Sequence, residues 1–159
     1  MLKRAAFILI AAVALFANVS VSEAKTVARK PVIEKQTTYI TGIYSKGNHM
    51  YGRFDYIQWY FGKAADREFL KDCKCSKYMK HAPDMYYIRN VNPRIRTISI
   101  SKNAQYVLQT YNDEIKWNQK VTKAQFLNFL KKRNQYHSIP FHLEIKNGVI
   151  TKITEQYIP

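Results

Sequence analysis

The most reactive side chains in this chain are two cysteines set two apart, in Asp72-Cys73-Lys74-Cys75. As free thiols they make a redox candidate, with Lys71, Lys74 and Lys77 favouring the thiolate. With His81 as a third donor they make a soft-metal candidate. Oxidised to each other they form a small disulfide. Two residues apart on a strand, their Cα atoms lie near the limit of disulfide reach, so that outcome requires the segment to turn. Two thiols are too few for a disulfide framework or a closed four-ligand zinc site.

Arginines offer a second chemistry. Arg94 and Arg96, within Tyr86–Thr97, could form a fork for a carboxylate or phosphate. The alternative is a structural corner, because Asn90, Asn92 and Pro93 are turn-shaping residues. One arginine would then pair internally, with Asp84 or Asp55 as partner.

Lysines interleaved with aromatics offer a third. Lys71, Lys74, Lys77, Lys80 and Arg89 accompany Tyr78, Tyr86 and Tyr87, while Lys120, Lys123, Lys131, Lys132 and Arg133 form a second cluster. Cations with stacking rings are the ingredients of single-stranded nucleic acid or glycan-polyanion binding. The same composition also describes a solvated face over core tyrosines.

Catalytic signatures are missing. His49, His81, His137 and His142 stand in no H-E-x-x-H spacing, and no serine occupies a G-x-S-x-G elbow. An acid–base pair would have to be assembled by folding, for example Asp55 with His142. The sequence leans away from an enzyme and implies no cofactor or resident metal.

The elements that must position these residues follow from pattern. Thr38 to Tyr44 and Met50 to Phe61 carry the β-branched and aromatic bias of strands, separated by a turn at Lys46-Gly47-Asn48. Lys63 to Asp72 reads as a helix with Ala65, Phe69 and Leu70 on one face. Residues 73–84 read as a basic loop. Strands are expected at Tyr86–Val91 and Ile95–Ile100, then a turn at Lys102-Asn103-Ala104 and a returning strand at Tyr106–Tyr111. Thr122-Lys123-Ala124-Gln125 is a capping box opening a helix that reaches about Gln135, with Phe126, Leu127, Phe129 and Leu130 as its buried stripe.

A final hairpin joins Phe141–Ile145 to Val149–Ile153 across Lys146-Asn147-Gly148. A two-residue Asn-Gly turn would set Leu143 against Lys152. A three-residue loop with a bulge at Gly148 instead pairs Ile145 with Val149, Leu143 with Thr151 and Phe141 with Ile153. The bulged register gives one apolar face and leaves Ile150 outside. The expected fold class is α+β: a curved antiparallel sheet with two short helices and a C-terminal β-hairpin.

The N-terminus reads as a signal peptide over residues 1–24. Lys3 and Arg4 precede thirteen apolar residues, Ala5 to Ala17, and Ser22 and Ala24 take the cleavage-recognition positions. Thirteen residues at about 1.5 Å each fall short of a hydrocarbon core of roughly 30 Å. Residues 25–37 read as a flexible lead-in, and residues 38–159 as a single globular domain. The chain carries 26 Lys plus Arg against 11 Asp plus Glu, a formal +15. Losing Lys3, Arg4 and Glu23 with the signal leaves +14. Such a charge favours anionic partners, an anionic polymer or an anionic membrane surface, and equally keeps a domain soluble.

Two stretches resemble a family of small exported bacterial proteins of unassigned activity. They are Ile57-Gln58-Trp59-Tyr60-Phe61-Gly62 with Ala64-Ala65-Asp66-Arg67, and Tyr86-Tyr87-Ile88-Arg89-Asn90-Val91-Asn92-Pro93-Arg94-Ile95-Arg96-Thr97. The ending, Gly148-Val149-Ile150 through Glu155-Gln156-Tyr157-Ile158-Pro159, is similar too. The resemblance implies export and a shared fold. The Cys73–Cys75 loop and the lysine after Phe61-Gly62 depart from that family's pattern.

The reading that results is an exported, noncatalytic basic binding module for anionic envelope or extracellular material, secreted or held at the envelope. Its candidate contacts are Arg94, Arg96, Lys71, Lys74, Lys77, Lys131 and Lys132. The alternative is a thiol- or metal-handling envelope protein using Cys73 and Cys75.

Overall fold

A computed structural model describes residues 32–92, 94–133 and 138–158. Residues 1–31, where the expected signal peptide and the start of the expected lead-in fall, lie outside the described residues, as do Pro93, residues 134–137, Pro159 and the side chain of Arg133. Seven strands and two helices follow in order: β1 (Ile33–Lys46), β2 (His49–Phe61), α1 (Lys63–Cys73), β3 (Tyr86–Arg89), β4 (Ile95–Tyr111), β5 (Glu114–Val121), α2 (Lys123–Arg133), β6 (Pro140–Lys146) and β7 (Val149–Glu155).

The mixture of strands and helices is that of an α+β domain, but the sheet is neither open nor wholly antiparallel. β1 pairs with β2 and β6, β6 with β7, β7 with β4, and β4 returns to pair with β2. Five strands thus close into a barrel, and only β4 and β7 run parallel. Strand β6 returns to lie beside β1 after three consecutive antiparallel barrel strands, which is a Greek key. This connectivity, with a helix before the fourth barrel strand, is that of the OB-type barrel. Closure replaces two open edges with a ladder, the strongest remedy for exposed strand edges. β3 and β5 extend the sheet outside the barrel, along the far ends of β2 and β4.

Alternation decides what fills the barrel. Phe54 lies opposite Ile40 across β1, and both are fully buried with Ile100, Leu108, Leu143, Ile150 and Ile153. Helix α2 plugs the barrel. Its reciprocal cap is formed as the sequence predicts: Gln125 Oε1 accepts from Thr122 N at 2.8 Å, and Thr122 Oγ1 from Gln125 N at 3.2 Å. Phe126, stacked on Tyr106 at 4.7 Å and edge-on to Phe141, carries the helix into the core with Phe129 and Leu130. Gly52 makes room for this core, because a Cβ there would sit 2.3 Å from the Phe54 ring.

Several expectations are corrected. β1 begins at Ile33, so residues 33–37 are not a flexible lead-in; Ile33 through Thr37 pair with β6. The turn at Lys102-Asn103-Ala104 is a bend within one seventeen-residue strand, β4. Parallel β7 runs beside both halves, matching Ile100 with Ile150 and Tyr106 with Ile153, so the chain cannot double back. β5 was not foreseen: Ile115, Trp117 and Val121 alternate with polar residues, but Gln119 interrupts the pattern and the strand is exposed along nearly its whole length.

The final hairpin takes the two-residue Asn-Gly turn, with φ of 52° at Asn147 and 76° at Gly148. Lys146 meets Val149 and Ile145 meets Ile150, which is buried rather than outward-facing. A bulge at Thr151 then rephases the pair so that Leu143 meets Ile153. Thr151 Oγ1 donates to Glu144 O at 3.1 Å. The bulge sits three residues later than expected; it keeps Leu143, Ile145 and Ile153 inside and brings Ile150 in place of Val149.

One carboxylate is built into the barrel. Glu155, 4% exposed, accepts from the backbone N–H groups of Gln109 (2.6 Å) and Thr110 (2.8 Å) and from Thr110 Oγ1 (2.5 Å). These donors sit where β4 slips register against β5. Glu155→Gln should destabilise the fold by about 1–3 kcal/mol, because the amide cannot accept all three bonds. Gly52→Ala should cost about 1–3 kcal/mol through overpacking against Phe54. Chemical denaturation of each variant measures both.

Candidate functional site

The sites singled out in the sequence fall into two regions at opposite ends of β2. Gly62, at φ 55°, turns the chain from β2 into α1, which packs against β2 and β3. Arg89 on β3 fastens that layer. It donates Nε to Asp72 Oδ2 at 2.6 Å, Nη2 to Asp72 Oδ1 and Glu68 Oε2 at 2.9 Å each, and Nη1 to Tyr60 Oη at 3.0 Å. Its guanidinium also lies against the Tyr60 and Tyr87 rings. A bidentate guanidinium with two carboxylates is a structural tie, so Arg89 is not a ligand contact.

The tie has an electrostatic signature. Arg89 holds Glu68 and Asp72 below the usual carboxylate range, with Arg67 assisting at Glu68 and Tyr87 at Asp72. Asp66 is held low by the backbone N–H of Ala82, and by His81 at 3.1 Å. Lys71 reaches Glu68 at 3.9 Å. The carboxylates of α1 are therefore all engaged with cations or donors of the same layer.

Cys73 and Cys75 are joined as a disulfide with Cα atoms 5.1 Å apart. Lys74, at φ 51°, supplies the turn that so short a bridge requires. In this oxidised state neither sulfur is a free thiol, and His81 hydrogen-bonds Asp66. Among the described residues no group of three or more His, Cys, Asp or Glu is placed to hold a metal. Lys77 lies over the exposed Tyr78 ring at 5.6 Å.

Arg94 and Arg96 do not make a fork. Arg96 stacks on Tyr56 at 4.2 Å and donates to Arg94 O at 2.9 Å, while Arg94 is exposed and its N–H bonds Asn92 Oδ1. Neither pairs with Asp55, whose Oδ2 accepts from Asn90 Nδ2 at 2.7 Å. The corner is the turn structure that its asparagines predict. Asp55 and His142 are not partners either, since His142 contacts Thr37 Oγ1 and Gln156 Oε1.

The other end of β2 is different. Lys131 lines a groove between α2 and the β1–β2 hairpin, with Tyr44, Met50, Leu127 and Leu130. Ser45 and Met50 are shared with a neighbouring cleft of about 310 Å³, where His49, Ser101, Lys102 and Lys123 meet. No carboxylate lines either. Lys132 faces the opposite flank of α2, in a larger cavity of about 540 Å³ that also contains Asp113. The groove and cleft thus bring Lys131 together with Lys102, Lys123 and His49, and do not include Lys71, Lys74 and Lys77, which belong to α1 and the loop after it.

Beside the groove, the outer face of the barrel carries rings. Tyr44 stacks on Tyr51 at 5.7 Å, next to Arg53, which lies opposite Gly42 with open space beyond it. Further along β2, Trp59 stacks on Tyr86 at 4.9 Å. Sequence reasoning passed over Tyr44, Tyr51, Arg53 and Lys102. The Tyr44–Tyr51 and Gly42–Arg53 pairings were readable in principle from the β1–β2 hairpin register.

Replacing Arg89 with Met should loosen the α1–β3 layer in a pH-dependent way. Glu68 and Asp72 are held below their ordinary values of 4.5 and 3.8. The stability they contribute is therefore fully present above those values and lost as pH falls through the lowered ones. Denaturation of both proteins from pH 7 to pH 2 should show a gap that is widest near neutrality and closes in acid. A gap constant with pH would detach Arg89 from these carboxylates. Compared with known proteins, the chain matches no family model, no curated protein and no solved structure.

Proposed function

We propose that this chain is an exported, noncatalytic module that binds an anionic polymer of the cell envelope or extracellular space, along the groove between α2 and the β1–β2 hairpin. The observation that carries this reading is the segregation of charge. In the α1 layer Arg67, Lys71, His81 and Arg89 pair with Asp66, Glu68 and Asp72, and Lys74 and Lys77 are exposed beyond it. Along α2, Lys123 and Lys131 line hollows that contain no carboxylate. A concave surface of one sign concentrates counter-charged ligands and speeds their encounter.

The ring-bearing face next to the groove supports a polymer over a small ion. Tyr44 belongs to both, and Tyr51 and Arg53 extend the surface beyond it. OB-type barrels bind oligonucleotides and oligosaccharides across the equivalent strands and the adjoining hairpin loops. That analogy concerns where a ligand lies, since fold alone does not name it. Among the described residues no helix is long and apolar enough to cross a membrane.

Binding of labelled dextran sulfate, titrated between about 50 and 200 mM salt, tests the reading. Affinity should fall steeply with salt. Lys123→Ala with Lys131→Ala should weaken binding several-fold and flatten the salt slope by about two charges' worth. Lys74→Ala with Lys77→Ala, an equal change of charge at the other end, should leave both nearly unaltered. Absence of binding at the lowest salt would refute the proposal, and equal losses in the two double variants would refute the groove.

A further inference from the structure

Resting on the groove reading, we infer that the cleft beside it is a phosphate site, and that the polymer it serves is a phosphodiester chain. Its walls come from three separate elements. The β1–β2 turn supplies Asn48 and His49, the bend of β4 supplies Ser101 and Lys102, and the head of α2 supplies Lys123. Donors converging from three sides suit an anion whose oxygens point in several directions. A planar carboxylate presents two oxygens in one plane, and its preferred partner is the rigid fork of a guanidinium. Among the described residues no arginine lines this cleft. Two lysines act as point charges, the mode in which ammonium groups hold phosphate.

The bend in β4 prepares the third kind of donor. Asn103 N donates to Ser101 Oγ at 3.2 Å, which occupies that oxygen as an acceptor. The Ser101 hydroxyl proton is then left to donate. Ser101 is half-buried while Lys102 and Lys123 are exposed at the rim, so the hydroxyl sits deeper than the charges. A diester phosphate carries one charge on two unesterified oxygens, and its two ester oxygens complete a tetrahedron of acceptors that a carboxylate lacks. It can meet an ammonium at the rim and the hydroxyl below while its ester bonds lead the chain into the groove at Ser45 and Met50, toward Lys131.

The experiment compares two anionic polymers of equal charge number, an abasic deoxyribose-phosphate oligomer and an oligogalacturonate, against the intact protein and Lys102→Gln with Lys123→Gln. Both substitutions lie on exposed positions, and a thermal melt checks that the variant is folded. The phosphodiester should bind the intact protein more tightly, and the double variant should weaken it about tenfold, against the smaller loss, about threefold, that removing two cations alone causes with oligogalacturonate. Ser101→Ala should reduce only the phosphodiester affinity. Equal affinities with equal losses would overturn the phosphate site and leave the groove as a general polyanion surface. No binding of either polymer would remove the groove reading as well. Binding to vesicles of phosphatidylglycerol without binding to the oligomer would overturn the polymer as the source of the phosphate.

Discussion

The barrel depends on one pairing, the parallel ladder between β4 and β7. Every other contact between neighbouring barrel strands is antiparallel. Without the β4–β7 ladder the five strands would remain an open, curved sheet with two free edges. With it, the apolar residues of β4, β6 and β7 face one another around a common axis, and Phe126 of α2 finds an enclosed seat against Tyr106 and Phe141. Glu155 stands at the end of β7 and binds the backbone of β4 where that strand slips against β5. Closure is thus secured by hydrogen bonds and by a charged acceptor at a defined position.

A second constraint is that β2 serves two structures. Its first half belongs to the barrel, paired on both sides by β1 and β4. Its last four residues leave the barrel and pair with β3, making the floor on which α1 lies. Arg89 holds that floor to the helix through Asp72 and Glu68. This division explains why the lysines separate into two populations. Near α1, Lys71 pairs with a carboxylate that the fold itself needs, whereas Lys123 and Lys131 line hollows without one and Lys132 shares its cavity with Asp113.

Local signals were legible where a few neighbouring residues decide the outcome. The Thr122–Gln125 cap and the stripe of Phe126, Phe129 and Leu130 each depend on spacing alone. The final hairpin was half legible: its apolar face was required by Leu143, Ile145 and Ile153, but two turn geometries can deliver that face. The rejected one became available through a bulge at Thr151, a position that carries no turn residue. Closure itself was hidden, because it joins strands far apart in the chain and because the bend at Ser101–Ala104 looks locally like a hairpin turn. The candidate site was obscured for the same reason. Lys102, Lys123 and His49 belong to three distant segments, and only the barrel brings them to one cleft.

β7 fits between β6 and β4 as a keystone fits an arch. With β7 unseated, β4 and β6 each show an unsatisfied ladder edge, and the apolar side chains between them face water. Exposed edges and apolar surface of that kind make partly folded chains adhesive. Thus the feature that leaves the finished barrel with no open seam also makes its soundness depend on the seating of a single strand.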